Sequence, residues 1–387
     1  MAFHVTFQGV QTKSRCVQEF GRVSRMPNKL VPPPRLEQYR AALLPAAQGV
    51  EPVACRAELL AGGPSFLNLL LSNDLAPLWH HCLQSAGLLE SLPGETVEAL
   101  RSARMVAAAA YLRQTAALAH LDALFTAQGI GYLVMKGVFV RECVHPDPAL
   151  RPAGDIDILI SPNDRRRAAS ALLDSGYAVN ALPENLSHEA TFSRGQVDID
   201  LHWHILRPGH TRSDMTDCLL ARRQQVHGVW GLSDGDALFV MLTHPAFAKY
   251  VCSPNMGLGR VADFLLWMQR RMVDWPAVLQ MLDAQGLKTA AWTTLTWFQM
   301  LAQSEAARAM DEWLATLRPG YRRAGFLRAW LTHDLPSRWL ERPLLIQLGF
   351  ILPLHDRPAD ALRALRAVWQ ARQNRLRDRQ LLLGDEH

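Results

Sequence analysis

The sequence predicts an α+β protein with a small mixed β-sheet between an N-terminal helical region and a helical C-terminal domain. Two observations support this prediction. In the first and last parts of the chain, apolar residues recur at three- and four-residue spacing, which is typical of amphipathic helices. Between these parts lie short β-branched segments and one strictly alternating segment, which are typical of strands. With 387 residues, the chain is longer than a single hydrophobic core usually becomes, so several structural units are expected.

We expect four regions along the chain. Residues 1–35 have an irregular pattern and end in a stiff run of three prolines. Residues 36–128 are predicted to be a helical N-terminal region. Residues 129–206 are predicted to form the α/β core, and residues 207–387 a helical C-terminal domain.

Each element around the core is predicted from local residue types. The segment Glu95–Gln128 is a long apolar-rich helix, which Gly129 ends as a left-handed residue would. Ser161 to Asp164 caps a later helix that Gly176 closes. In chain order, the core is predicted to contain a strand at 132–135, a helix at 137–144, a strand at 155–160, the capped helix ending at 175, and strands at 177–182, 188–193 and 197–203.

The overall composition is that of an ordinary globular protein. Hydrophobic residues make up 49% and charged residues 20% of the chain. The formal net charge of +5 favours anionic ligands such as nucleotides. It is too small to indicate a nucleic-acid-binding protein without a clustered basic surface.

Cysteine spacing and hydropathy bear on the compartment. The six cysteines are scattered, with no Cys-x-x-Cys pair and no zinc-site spacing, so we expect reduced thiols in a cytoplasmic protein. The N-terminus has no basic and apolar pattern of a signal peptide. The longest apolar run, from Pro343 to Leu354, is too short to span a bilayer and is predicted to be a buried helix. No transmembrane segment is expected.

Two carboxylates stand at the head of an apolar, β-branched run. Asp155 and Asp157 are two residues apart, so in a strand they project from the same face while Ile156 and Ile158 point to the other. Like charges this close repel each other unless a cation lies between them. The pair therefore suggests a divalent metal site, although a solvated strand end explains it equally well when it is considered alone.

Two neighbouring motifs favour the metal site. Lys136-Gly137 follows a short strand and opens a helix, where backbone N–H groups and a lysine can receive an anion. Gly137 lacks a Cβ, so a phosphate can approach its backbone closely. The strand 197–203 carries Asp198, Asp200 and His202 on one face.

Three carboxylates on adjacent strands suit hard divalent ions. Asp155, Asp157 and Asp200 are the predicted ligands, with Asp198 as a possible substitute. Mg²⁺ is the preferred ion, or Mn²⁺, because both favour oxygen ligands and substrate phosphates. Such a site is typical of in-line transfer at a phosphorus atom, which depends on positioning and cations more than on a strong base.

The order of these motifs resembles that of a known family. Lys136-Gly137, then Arg151-x-x-x-Asp155-Ile-Asp157, then Asp200-Leu-His-Trp203 is similar to the uncharacterised bacterial nucleotidyltransferase family of the DNA polymerase beta-like superfamily. The resemblance covers residues 60 to 300. The superfamily usually has Gly-Gly or Gly-Ser closer to its Asp-x-Asp strand. Here Lys-Gly and a longer spacer match this subfamily and the related abortive-infection nucleotidyltransferases.

The resemblance implies an enzyme that moves a nucleoside monophosphate from an NTP to a hydroxyl group and releases pyrophosphate. ATP is the expected nucleotide, and the acceptor is a small molecule, sugar, peptide or protein. A toxin-like transferase that modifies tRNA or a protein is the first alternative, and a basic surface around the cleft would support it. A catalytically degenerate nucleotide-binding or scaffold module is the second.

Other charged residues have two interpretations each. Arg151 is predicted to bind phosphate together with Lys136 and Gly137, with a salt bridge that fixes its loop as the equal alternative. Lys136 either binds the triphosphate or pairs with one of the aspartates. His188 and His202 either face the predicted metal site or form hydrogen bonds with the surrounding protein. Arg260 and Asp263, at helical spacing, are predicted to pair with each other.

The C-terminal segment from Ala359 to Leu383 is rich in arginine and amphipathic. A solvated helix face is its expected role, and a nucleic-acid-contacting surface is the less favoured alternative.

Overall fold

The computed structural model describes residues 36–180 and 185–383. The prediction for residues 1–35, the end of the strand predicted at 177–182, and Cys16 therefore lie outside the described residues. The structure confirms the α+β class, in which a mixed sheet is accompanied by many helices. Within the described ranges, no helix is both long and apolar enough to cross a membrane.

Within the described residues, four α-helices precede the sheet. They are α1 (Leu36–Ala42), α2 (Pro52–Ser72), α3 (Ala76–Ser85) and α4 (Gly94–Ala127). Helix α2 is interrupted at Gly63, whose φ of 53° and ψ of −147° are not helical. Pro64 follows directly and disfavours the helical conformation of the residue before it. Helix α4 ends as predicted, with Gly129 at a φ of 64°.

The next part of the chain supplies five strands and two helices. They are β1 (Tyr132–Met135), α5 (Lys136–Val144), β2 (Ile156–Ile160), α6 (Arg165–Asp174), β3 (Ala178–Asn180), β4 (Glu189–Arg194) and β5 (Val197–His202). These elements agree with the predicted series within a few residues. Every residue of β1 and β2 is buried, because helices and neighbouring strands cover both faces of the sheet.

The sheet has seven strands in the order β3-β4-β5-β2-β1-β7-β6. The last two, β6 (Gln224–Val226) and β7 (Val229–Gly231), follow the short helix α7 (Thr216–Ala221) and lie in the range that was predicted to be helical. His227 and Gly228 form their turn with φ values of 49° and 83°, as a tight hairpin with right-handed strand twist requires. The sheet therefore extends beyond residue 206.

The remainder of the described chain is helical. Its helices are α8 (Asp234–Ala248), α9 (Leu258–Arg270), α10 (Trp275–Gln285), α11 (Lys288–Leu301), α12 (Ser304–Ala309), α13 (Asp311–Leu317), α14 (Tyr321–Thr332), α15 (Leu335–Arg338), α16 (Pro343–Ile346), α17 (Pro358–Gln373) and α18 (Arg375–Leu383). A π-helical turn, Gln347–Ile351, continues α16. Helices α8 and α9 pack against α5, which brings the C-terminal helices next to the sheet.

The apolar run from Pro343 to Leu354 is only partly buried. Ile346, Phe350 and Ile351 enter the core, but Leu344 is 75% and Leu348 60% exposed. The prediction of a buried helix is therefore wrong for the outer face of this segment.

Candidate active site

Three neighbouring strands bring the predicted acidic residues together. Strand β2 runs parallel to β5 and places Asp157 opposite Asp200. Strand β1 runs antiparallel to β2 and places Met135 opposite Asp157, so that Lys136 follows directly beside the carboxylates. Asp155 stands immediately before β2. The pairing register of these three central strands thus brings together four of the predicted site residues.

The buried carboxylate of Asp157 is the centre of the cluster. Lys136 Nζ donates a hydrogen bond of 2.6 Å to Asp157 Oδ1, and His202 Nε2 lies 2.9 Å from the same oxygen. The other ring nitrogen of His202 lies 3.1 Å from Glu189 Oε2. Asp200 accepts a hydrogen bond of 2.6 Å from the Thr191 hydroxyl. His202 therefore helps to orient Asp157 through Nε2, whereas its buried Nδ1 forms no hydrogen bond with the described residues in spite of its closeness to Glu189.

Lys136 has an unusual backbone conformation. Its φ of 57° is left-handed, which is uncommon for a residue with a Cβ. It lies at the abrupt change from β1 to α5, and its own side chain contacts Asp157. A sparsely populated conformation of this kind is often found at functional sites.

The charges of the cluster are only partly balanced. The Asp157 charge, together with burial and Asp200, raises the pKa of Asp155 to about 6. Burial opposes ionisation of Asp157 too, but Lys136 and His202 outweigh it and lower the pKa of that carboxyl. Burial likewise opposes the charge of Lys136, and attraction to Asp157 and Glu189 overcomes it and raises the lysine pKa. Lys136 thus forms a salt bridge with Asp157, whereas Asp155 forms no salt bridge with any described residue.

These groups fit a divalent cation. Asp157, Asp200 and His202 each place one ligand atom within 4.8 Å of the other two. The repulsion that raises the pKa of Asp155 would be relieved by a cation between the carboxylates. The oxygen-rich set suits Mg²⁺ or Mn²⁺, and the imidazole nitrogen is a donor that transition metals accept readily. Asp155 lines the same cavity but is not a member of this close group.

A cavity of about 310 Å³ lies over this cluster. Its lining includes the carboxylates of Asp155, Asp157, Glu189 and Asp200. It also includes basic groups from the loop after β5, from the C-terminal end of α8 and from α9, among them Arg207, His244, Lys249 and Arg260. The cavity therefore offers carboxylates for a metal and cations for an anion within one space.

Two of the basic residues have no acidic partner. Neither Lys249 nor Arg260 forms a salt bridge with any residue in the described ranges. Burial, with repulsion from Arg260 and Lys136, lowers the pKa of Lys249. Burial and repulsion from Arg151 lower the pKa of Arg260. Half-buried cations without a partner are suited to a polyanionic ligand, which would relieve both effects.

Arg151 does not reach the cavity. Its Nε donates to both carboxylate oxygens of Asp263, at 2.9 and 3.0 Å, and Asp263 also lies 2.9 Å from His145 Nε2. These three side chains are buried. The structure therefore contains the salt bridge that was the alternative role for Arg151. The predicted pairing of Asp263 with Arg260 is wrong, because Arg151 takes that position.

Three other predicted residues lie in different surroundings. Gly137 lines a separate chamber of about 50 Å³ that shares Lys136, His244 and Arg260 with the main cavity. A Cβ on Gly137 would make ordinary contacts, at 3.6 Å from the Arg151 guanidinium, so packing does not require glycine there. Asp198 is exposed, accepts a hydrogen bond of 2.6 Å from Ser193 and does not line the cavity. His188 does line it, and burial holds its pKa well below the usual value.

Sequence reasoning missed Glu189 and Lys249, and it assigned Arg260 to an ion pair with Asp263 instead of to the site. Glu189 had a usable signal, because the antiparallel pairing of β4 with β5 places it directly opposite His202. Lys249 belongs to no local motif, and only the packing of α8 and α9 beside α5 brings Lys249 and Arg260 to the carboxylates.

One known protein family matches this chain. The model of a family described as an uncharacterised nucleotidyltransferase matches residues 63–303, which is more than half of the chain. This range agrees with the extent of the resemblance inferred from the motifs. No curated protein and no solved structure matches the chain.

Proposed function

The chain belongs to this uncharacterised nucleotidyltransferase family, and from that premise we propose that it transfers a nucleoside monophosphate from an NTP to a hydroxyl of its acceptor. The observation that carries the proposal is one cavity lined both by these carboxylates and by Lys249 and Arg260, which form no salt bridge with the described residues. In the reaction, the acceptor oxygen forms a bond to the α-phosphorus as it loses its proton. The bond from that phosphorus to the pyrophosphate oxygen breaks, and pyrophosphate leaves.

Asp155, Asp157 and Asp200 would hold Mg²⁺ or Mn²⁺, with Asp198 too far along the strand face to line the cavity. The ion would supply positive charge to the phosphates and to the leaving pyrophosphate. Lys136 and His202 orient Asp157 through the contacts described above. Thr191 orients Asp200 in the same way. These fixed contacts reduce the rearrangement that binding of the substrate requires.

Lys249 and Arg260 would bind the triphosphate. Neither has an acidic partner among the described residues, and both line the cavity that contains the carboxylates. Charge-assisted hydrogen bonds to phosphate are stronger than neutral ones, and the arginine fork suits two phosphate oxygens at once. ATP is the nucleotide that we expect. A small molecule, sugar, peptide or protein remains the expected class of acceptor, and cytoplasm the expected compartment.

The degenerate-module alternative loses its main support. It would have gained weight if the three predicted carboxylates had pointed to separate places, but Asp155, Asp157 and Asp200 line one cavity. A macromolecular acceptor remains compatible with Arg207 at the cavity and Arg372 and Arg375 in the adjoining groove.

The test is transfer of label from α-³²P-labelled NTPs into cell extract, with Mg²⁺, with Mn²⁺ and with EDTA. We expect labelled product and released pyrophosphate only with metal. Asp155→Asn/Asp157→Asn should lower transfer by at least about 10²-fold, the scale on which single electrostatic groups act in catalysis. Asp198→Asn is the matched control on the same sheet and should retain activity. Equal labelling by the double variant and the native protein would refute the proposal.

A further inference from the structure

Helix α17 carries an apolar stripe on the side opposite to its buried residues. Asp360 and Ala364 are buried, and they define the side that faces the protein. At 100° per residue, Leu362, Leu365 and Trp369 fall on the opposite side. There Leu362 is 54% and Trp369 62% exposed. Packing on the protein does not require this second side, the outer stripe Leu362/Leu365/Trp369, and the described residues leave it exposed.

The outer stripe is bordered by positive charge. Arg366 and Arg372 are exposed and fall on either side of it around the helix. From residue 358 to residue 383 there are six arginines and two aspartates. One of these aspartates, Asp360, is buried against Arg212 and Arg363. The exposed surface of α17 is thus apolar along its centre and basic at its edges.

A second segment with exposed apolar residues borders the same cavity as this helix. Leu344 and Leu348 are exposed on α16 and the π-helical turn, as described above. Gln347 and Ile351 of that turn line the cavity together with Val368 of α17. Exposed leucines therefore occur on both segments that border the cavity.

We infer that α17 docks this protein on an anionic lipid surface. An amphipathic helix with leucine and tryptophan on one side and arginines along its margins lies in the plane of such a surface, with the apolar residues among the acyl chains and the cations at the headgroups. Tryptophan is favoured at this boundary. The docking surface consists of Leu362, Leu365, Arg366, Trp369 and Arg372, and the inference rests on no step of the proposed reaction.

Two other occupants fit less well. A second copy paired through the outer stripe would bring Arg366 and Arg372 against the same arginines, with no exposed acidic residue on the stripe side of the helix to balance them. A nucleic acid would engage the arginines but offers its phosphates and bases to cations and aromatic rings, which leaves the leucines without an apolar partner. A lipid surface satisfies both the charge and the apolar residues.

The test is flotation of the full chain with vesicles of phosphatidylcholine alone or with about one third phosphatidylglycerol, at low and at physiological salt. We expect binding to the anionic vesicles and little to the neutral ones, because each arginine near a charged surface adds attraction that salt screens. Leu362→Gln/Trp369→Gln should weaken binding by at least about tenfold through the lost apolar burial. Arg366→Gln/Arg372→Gln should weaken it by about tenfold as well and remove much of its salt dependence.

Leu112→Gln is the matched control, because Leu112 is a comparably exposed leucine, at 67%, on the distant helix α4. All these side chains are exposed, so each variant is expected to fold, and circular dichroism checks this. Failure to bind anionic vesicles, or binding that the two α17 variants leave unchanged, overturns the inference. So does sedimentation of the native chain as a dimer that Leu362→Gln/Trp369→Gln dissociates, or an RNA mobility shift that only the arginine variant abolishes while vesicles remain unbound.

Discussion

Arg260 reaches the cavity without an acidic partner, although Asp263 lies one turn away on the same helix. Asp263 is already held by Arg151 and His145, whose contacts are buried. Asp263 thus pairs with Arg151, which stabilises the loop before β2, and not with Arg260. The charge of Arg260 remains available to a substrate.

Arg260→Met should raise the KM for the NTP by about 10- to 100-fold, because a hydrogen bond to a charged group contributes roughly 1.5–3 kcal/mol. Steady-state kinetics measure this. The control is Arg270→Met at the exposed C-terminal end of the same helix α9. A normal KM in Arg260→Met would assign the triphosphate to other residues.

Arg151→Met should act on stability instead. Removing one partner of a buried pair leaves Asp263 uncompensated, and the free energy of unfolding should fall by about 3–5 kcal/mol in urea titrations. Arg151→Met/Asp263→Leu, which removes both charges, should recover part of this loss. If Arg151→Met were fully stable but bound NTP poorly, the phosphate-binding role predicted for Arg151 would be restored.

At the scale of elements, the hairpin β6–β7 completes the sheet beside β1. It is joined to β1 through the pairing of Gly231 with Val134. A side chain at Gly231 would overlap the ring of Phe139 on α5, the helix that begins with Lys136. The hairpin is therefore packed close to the helix that begins with Lys136.

Gly231→Ala should lower the free energy of unfolding by about 1–3 kcal/mol, as overpacking of a core typically does. Gly235→Ala is the matched control four residues later, because its Cβ would meet Val278 at an ordinary 3.5 Å. Chemical denaturation of both variants measures the difference. Equal stability of the two would show that Phe139 moves aside without cost.

The sequence predicted those elements whose residue types favour one conformation locally. Strands 132–135, 155–160 and 197–203 are β-branched or alternating, and the acidic residues they carry converge because strand register is regular. The strands of the hairpin are three residues each, and β6 begins with two glutamines, so they give no periodic signal. Lys249 and Arg260 owe their positions to packing between distant helices, which no local pattern encodes.

At the scale of the whole molecule, His210 joins three distant segments. Its ring lies 4.3 Å from that of Phe247 at the end of α8, and its Nδ1 is 3.3 Å from Nε2 of His355, just before α17. Burial, with repulsion from His355 and Arg207, lowers the pKa of His210 to about 3. The neutral ring is therefore part of the packing between the sheet and the C-terminal helices.

This packing should make stability depend on pH. The pKa of His210 is near 6.5 in the unfolded chain and about 3 in the folded chain. The contribution of His210 to the free energy of unfolding is therefore complete above pH 6.5 and decreases as the pH falls below this value. His210→Phe should make this decline shallower by up to about 1.4 kcal/mol per pH unit. Urea titrations at pH 7.0, 5.5 and 4.5 measure the slope. His188, His244 and His355, whose pKa values are also lowered by burial, leave a residual slope; an unchanged slope in the variant would contradict the assignment.

The cavity is enclosed by residues that lie more than 200 positions apart in the chain, from Lys136 to Val368. Contacts between residues this far apart in the sequence form late in folding, because the chain between them must first lose conformational entropy. During refolding, the carboxylate cluster can form once three strands have paired. The basic groups and the residues of α17 reach the cavity only after the C-terminal helices have packed. Ellipticity should therefore recover before the ability to bind a nucleotide, which makes nucleotide binding a marker of the last step of folding.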